Sequence, residues 1–297
     1  MIHKAKKSMG LKIDYNFARA KKALGQNFLK SQEALKKMCE AGEICDKDII
    51  LEIGPGKGAL TEKLLEKAKI VIAVEKDREL FEFLKEKFLN EIKSGKLELI
   101  NGDILNFDTR TYNLETRTYK IIANIPYNIT GAILKKFLSI KNQPERMVLL
   151  VQKEVAERIV ARDNKESILS LSIKAYGIPK YIMKVHKRFF SPAPKVDSAI
   201  IVINNISKDN FKTDMEEKNF FNIIKTGFAH KRKILRRNLE DLQIKEVGPA
   251  RPPLSGAGGL PNIDKIFEKL KINPKTRAED IKFEIWLEIS RNLSTDI

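Results

Sequence analysis

The cluster Asn124-Ile125-Pro126-Tyr127 closes the apolar run 119–123 with three kinds of group that chemistry can use. A strand ending in Asn-x-Pro-Tyr offers a side-chain amide oxygen, a main-chain carbonyl at an X-Pro turn and an aromatic face. Together they suit a planar, weakly nucleophilic amino group such as N6 of adenine. Two oxygens accept its two hydrogens while the ring stacks on the base. An exocyclic amine whose lone pair is delocalised attacks poorly, and acceptors fixed on its hydrogens favour a more tetrahedral nitrogen. No strong base is then needed. In isolation a strand-ending turn explains Asn and Pro better, and only the other motifs reverse that reading.

A second group of residues points to the co-substrate. The apolar run Ile49–Ile53 leads into Gly54-Pro55-Gly56-Lys57-Gly58 and then a helical pattern. Alternating glycines at a helix N-terminus let backbone amides approach a ligand closely. Glu75 ends the next strand about 20 residues on, where a carboxylate accepts both ribose hydroxyl protons. Asp103, in Asn101-Gly102-Asp103 after the third strand, is an acid able to accept from an adenine amino group. Each acid alone reads as a surface or capping residue; two at successive strand ends beside a glycine turn read as a nucleoside site. These features admit both a nicotinamide dinucleotide and S-adenosylmethionine. The latter is favoured by the glycine spacing, Glu-x-Gly-x-Gly-x-Gly, which differs from the dinucleotide fingerprint. The chain also lacks a well-placed His or Tyr-Lys pair for hydride transfer.

The elements that must hold these residues follow from the apolar pattern. Strands are expected at 49–53, 70–75, 96–100, 119–123 and 147–151, alternating with helices at 31–41, 59–69, 78–88, 131–140, 153–161 and 166–176. That alternation predicts an α/β domain with a mostly parallel sheet. Two further strands, 181–186 and 198–203, are joined by a Pro-rich loop instead of a helix, which predicts an antiparallel pair at the sheet's end. After Asn205 only helices are expected, at 216–229, 231–242, 264–270 and 278–291. The Gly/Pro-rich stretch 248–261 must be a loop. The expected organisation is a basic extension 1–22, an α/β domain 23–205 and a small helical domain 206–297.

Composition narrows the partners. The 297 residues carry a formal net charge of +17, a field that attracts polyanions, nucleic acid above all. Part of the excess is a general richness in Lys, and clustering identifies the rest. Residues 1–30 hold eight Lys or Arg against the single acid Asp14. A second cluster places Lys231, Arg232, Lys233, Arg236 and Arg237 within about two turns of an expected helix. Arg232 and Arg236 stand at i, i+4, as do Lys233 and Arg237, and like charges there repel unless an anion compensates. We read these five as phosphate contacts. Two cysteines, Cys39 and Cys45, and three scattered His give neither a disulfide framework nor a metal site. No run reaches the length of a membrane span and no secretory signal opens the sequence, so a cytosolic protein is expected.

Several stretches together resemble the ribosomal RNA adenine dimethyltransferase family. They are Leu24-Gly25-Gln26-Asn27-Phe28-Leu29, the run from Glu52 to Thr61, Asn124 to Ile129, Gln152-Lys153-Glu154-Val155-Ala156 and the run from Phe190 to Ser198. Within that family, Gln152 to Ala156 and the tail 273–280 look like the bacterial small-subunit enzyme rather than the resistance methylases of large-subunit rRNA. The resemblance implies a Rossmann-like, seven-stranded S-adenosylmethionine-dependent methyltransferase domain with a small α-helical domain. It implies dimethylation of two adjacent adenines in a 3'-terminal hairpin of small-subunit rRNA, on an immature 30S particle, by a monomer. Asn27 and Leu29 would close over the donor, Gly54 and Gly56 would hold its methionine part, Glu75 its ribose and Asp103 its adenine. Asn124, with the carbonyl of Ile125 or Pro126, would orient the target N6. Tyr127 and Phe190 would sandwich the base, and Phe190-Ser191-Pro192 independently reads as a bare aromatic on a rigid loop. Methylation of large-subunit rRNA, a non-catalytic assembly factor and a nicotinamide-dependent oxidoreductase are the competing readings. The 19 residues before the motif region and the loop 248–261 depart from the family pattern.

Overall fold

Apolar runs rich in Ile, Val and Leu become strands here because β-branched side chains pack well on a pleated surface buried on both faces. The computed structural model describes residues 21, 24–112, 114, 118–246 and 263–294, with 241–246 and 294 by backbone alone. Residues 1–20 and 22 of the expected basic extension, and the expected loop 248–261, lie outside the described residues.

In chain order the elements begin with β1 (Phe28–Leu29), α1 (Gln32–Ala41), β2 (Ile49–Ile53), α2 (Ala59–Leu65) and β3 (Ile70–Glu75). Next come α3 (Arg78–Lys87), α4 (Leu89–Lys93), β4 (Leu97–Asn101), β5 (Lys120–Asn124) and α5 (Thr130–Ser139). They are followed by β6 (Arg146–Gln152), α6 (Lys153–Ile159), α7 (Ile168–Lys174), β7 (Ile178–Val185), β8 (Phe190–Ser191) and β9 (Ser198–Asn204). Four helices complete the described chain: α8 (Asp214–Gly227), α9 (Leu235–Glu246), α10 (Ile263–Lys269) and α11 (Phe283–Ser294).

The large sheet has the order β4-β3-β2-β5-β6-β9-β7. Strands β2 to β6 pair in parallel, and β9 runs antiparallel between β6 and β7. This is a Rossmann-like seven-stranded sheet closed by the expected hairpin. The period-2 alternation sorts side chains onto two cores. Leu51, Leu149 and Ile201 face one cluster, which continues into the C-terminal helices, while Ile50, Val148 and Ile200 face the other, under α1, α2 and α3.

Neither the short helix α4 nor the ribbon of β1 and β8 was expected. The two-residue strands β1 and β8 pair antiparallel, Leu29 opposite Phe190, and Lys30 N–H extends the ladder to the Phe189 carbonyl at 2.8 Å. Strands this short carry no periodicity, so nothing local announces them.

The C-terminal helices pack around Trp286 and Phe220, both fully buried. Gly227 lets α8 and α11 touch: a Cβ there would lie 2.4 Å from the Trp286 ring. The expected helix 231–242 starts later than the pattern suggested. Residues 231–233 form a turn, and α9 begins at Leu235, whose N–H is held by the Thr276 carbonyl at 2.8 Å. The expected helix 278–291 also splits, into a 3-10 turn, Ala278–Asp280, and α11. That turn ties the helical part to the sheet domain: Glu166 N–H donates to the Glu279 carbonyl at 2.7 Å, and Lys165 pairs with Asp280. Among the described residues no helix is long and apolar enough to cross a membrane.

Candidate active site

The carboxyl ends of β2, β3, β4 and β5 lie side by side, so the residues that follow them share one edge of the sheet. The loop after β2 carries Gly54, Gly56 and Gly58 at φ of +65°, +61° and +79°, a left-handed path that side chains with a Cβ rarely take. A Cβ on Gly56 would come within 3.0 Å of the Phe28 ring, and one on Gly58 within 2.6 Å of Phe88. Gly56 and Gly58 therefore serve close packing on the two sides of the loop.

Glu75, at the end of β3, is 5% exposed. Its Oε2 accepts from Gly56 N–H at 3.0 Å and its Oε1 from Asp77 N–H at 2.9 Å. Burial pushes this carboxyl above its ordinary value, and those two N–H groups oppose the rise. Each oxygen keeps a lone pair for a ligand. Asp103 caps a short 3-10 turn through Leu105 N–H at 2.9 Å and pairs with Lys76 at 2.8 Å, which holds its carboxyl below the usual range.

Asn124 ends β5. Its Nδ2 donates to the Asn27 main-chain carbonyl at 3.2 Å, so the amide nitrogen is occupied and Oδ1 remains to accept. The Pro126 carbonyl takes Ile129 N–H at 3.3 Å and keeps one lone pair. The Tyr127 hydroxyl meets Ser198 Oγ at 2.6 Å, which pins the ring to the start of β9. Burial raises this phenol and Ser198 partly offsets it.

These residues line a single cavity of about 210 Å³. Asn27, Leu29, Gly54, Gly56, Glu75, Asp103, Asn124, Pro126 and Tyr127 all contribute to its wall. Phe190 does not. It is 2% exposed, because pairing of β8 with β1 turns its ring into the apolar cluster around Leu29, Leu35 and Val185. The bare aromatic expected from the sequence is thus a buried one in this conformation.

Three features of the wall were missed from sequence. Phe28 covers the glycine loop, with the Lys57 ammonium 5.4 Å from its ring centre. Gln26 and Lys21 clasp the N-terminal segment onto α3: Gln26 Nε2 donates to Asp77 at 2.9 Å and Lys21 pairs with the same carboxylate at 2.8 Å. For Phe28 and Gln26 the signal was the Leu24 to Leu29 motif itself. Glu52, the acid before the glycines, also faces the cavity.

The basic cluster lies elsewhere. Lys231, Arg232 and Lys233 are exposed in the turn before α9, and Arg237 is exposed on its first turn. The i, i+4 repulsion expected within one helix does not arise, because 231–233 precede the helix. Arg236 is turned to acids of the same chain. Its guanidinium forks onto Asp264 at 2.6 and 3.0 Å and reaches Glu240 at 3.1 Å. Among the described residues the other four cations make no ion pair.

Comparison with known proteins gives a consistent result. Residues 17–249 match the family described as ribosomal RNA adenine dimethylase. The ribosomal RNA small subunit methyltransferase A of Dehalococcoides mccartyi (strain CBDB1) is 38% identical over 275 residues, covering 91% of this chain and 87% of that protein. The crystal structure of a dimethyladenosine transferase from Plasmodium falciparum superposes with a TM-score of 0.74 at 26% identity, covering 91% of this chain and 98% of that one. That of the 23S rRNA methyltransferase ErmE superposes at 0.71 and 22% identity over 90% of this chain and 99% of that one, a likeness of fold.

Proposed function

Since this chain belongs to the ribosomal RNA adenine dimethylase family, we propose that it dimethylates N6 of two adjacent adenines in a 3'-terminal hairpin of small-subunit rRNA. The methyl donor is S-adenosylmethionine. The particle modified is an immature 30S subunit, met in the cytoplasm by a monomer of this protein. The observation that carries the reading is Asn124, whose amide nitrogen is held by Asn27 and whose oxygen is left to accept, on the wall of the cavity that the glycine loop and Glu75 also line.

The wall fits the donor. Glu75 offers two carboxylate lone pairs to a ribose diol, Asp103 an acceptor for an adenine amino group, and Gly54 and Gly56 a left-handed loop along the same wall. Asn27 and Leu29 close it from the N-terminal side. When bound, the donor supplies an electrophilic methyl carbon on a positively charged sulfur. The chain's own residues do the rest. Asn124 Oδ1 and the Pro126 or Ile125 carbonyl take the two hydrogens of N6 and aim its lone pair. Tyr127, anchored by Ser198, stacks on the extruded base. Stacking of this kind contributes roughly 1–3 kcal/mol, comparable with the few kcal/mol needed to unstack a nucleotide. Phe190 takes the other face only if the short β1–β8 ribbon parts.

The test is transfer of labelled methyl groups into immature small subunits, followed by identification of the modified nucleotides. Asn124→Ala should lose transfer by at least about 100-fold, the scale of a lost transition-state contact, while donor affinity stays near wild type. Full turnover in that variant refutes the role of Asn124. Labelling of large-subunit RNA in place of the small-subunit particle refutes the substrate.

A further inference from the structure

Glu52 is 1% exposed, lies two residues before Gly54 and lines the donor cavity. Its Oε2 has no hydrogen-bond partner among the described residues, and neither has the equally buried Thr61 hydroxyl beside it. Glu52 makes no ion pair among the described residues either.

The groups packed around it explain why. From α2 comes the Thr61 hydroxyl, which is not placed to hydrogen-bond and yet is the largest influence favouring the charged form, smaller only than burial. From β3 comes Glu75, a second acid that disfavours it. From α1 comes the Cys39 thiol, itself pushed up to about 11 by burial. From α3 comes Lys87, but its ammonium is spent on Glu62 and the Lys57 carbonyl, both at 2.8 Å. Lys57, on the cavity wall, sits over Phe28. A carboxylate left without a partner in such surroundings is costly, which favours the neutral acid. Burial pushes the Glu52 carboxyl up to about 8.

We infer that Glu52 is a neutral carboxylic acid in the free protein and releases its proton to solvent when a cationic methyl donor enters the cavity. This rests on the reading that S-adenosylmethionine is the donor. A positive sulfur in the same poorly solvated cavity favours the carboxylate, because charges interact strongly where water is excluded. Methyl transfer leaves a neutral thioether in its place. Glu52 then regains a proton from solvent and the product is held less firmly than the donor. The acid of the glycine motif thereby serves as a charge sensor that separates donor from product.

Calorimetric titration of S-adenosylmethionine into the full-length protein at pH 7, repeated in buffers of different ionisation enthalpy, counts the protons released per donor bound. Wild type should release close to one proton more than Glu52→Gln, whose amide keeps the shape but cannot ionise. S-adenosylhomocysteine should show a much smaller difference between the two proteins. Below about pH 8 the donor affinity of wild type should rise up to about tenfold per pH unit relative to the variant. Equal proton release by the two proteins overturns the inference and leaves the donor assignment standing; no heat of binding in either overturns the donor assignment instead. Should the variant not fold, infrared difference spectra of the unmodified protein decide. The carbonyl band of a protonated carboxyl should vanish when donor is added, and its persistence overturns the proposal.

Discussion

Asn124 presents one end of its carboxamide because Asn27 holds the other. Tyr127 is similarly aimed by Ser198, and Glu75 by the amides of Gly56 and Asp77. Each of these residue types was legible as a candidate, because side-chain chemistry is written in the sequence. Their partners were not, since contacts such as Asn27 to Asn124 span almost a hundred residues. Phe190 shows the reverse case, where residue type was legible and environment was not. Phe190→Leu should keep the melting temperature within a few degrees, because Leu fills a similar apolar site. If stacking on the base is its role, transfer in that variant falls at least tenfold; unchanged turnover leaves Phe190 as packing alone. The buried acids set a pH dependence at this same scale. Glu52 titrates near 4.5 when unfolded and about 8 when folded. Between those values the folded state binds a proton that the unfolded state has lost, so stability falls as pH rises through that window. Glu75, also raised by burial, acts in the same direction. Glu52→Gln should therefore flatten the decline of melting temperature from pH 5 to pH 8 and be most stabilising at the alkaline end. A parallel decline in both proteins contradicts this.

At the scale of elements, the strands of the main sheet and most helix starts agree with the apolar pattern, since buried Ile, Val and Leu runs leave little choice of period. The disagreements fall where tertiary contacts override local preference. Leu235 is drawn into the core beside Trp286, and Thr276 holds its amide, so α9 starts there and the basic residues before it become a turn. Glycines give a sharp comparison. Gly58 and Gly95 are both left-handed, at φ of +79° and +75°. A Cβ on Gly58 would meet Phe88 at 2.6 Å and Leu84 at 2.9 Å, whereas nothing lies within 4 Å of one on Gly95. Gly95→Ala should cost about 1–2 kcal/mol for the backbone alone. Gly58→Ala should cost a further 1–3 kcal/mol for overpacking, roughly 2–5 kcal/mol in all. Denaturant midpoints of the two variants check the ordering, and equal losses would show that α3 yields to the intruding methyl.

For the whole molecule, the turn of Glu279 and Asp280 joins the helical part to the loop before α7, and the net charge of +17 must be spent on something. We propose that Lys231, Arg232, Lys233 and Arg237 meet RNA phosphates, because no acid of the described chain neutralises them. Each contact removed should lower the slope of log affinity against log salt by about 0.7–0.9. Replacing all four with Gln should lower it by about 3. Arg236→Gln should scarcely alter the slope, since its guanidinium is held by Asp264 and Glu240. A slope that drops for Arg236→Gln and not for the other four reverses the assignment.

The sequence alone determined the α/β order, the glycine loop, the acids at two strand ends and the Asn-x-Pro-Tyr acceptor. All of these are local: a period of two, a left-handed turn or a residue type is set by neighbours along the chain. Only the tertiary structure decided that Phe190 is buried, that Arg236 is spent within the chain, that Asn27 orients Asn124 and that Glu52 sits at the cavity without a partner. Burial and pairing depend on which distant segments meet, and the free energy of a charge or a hydrogen bond depends on that meeting.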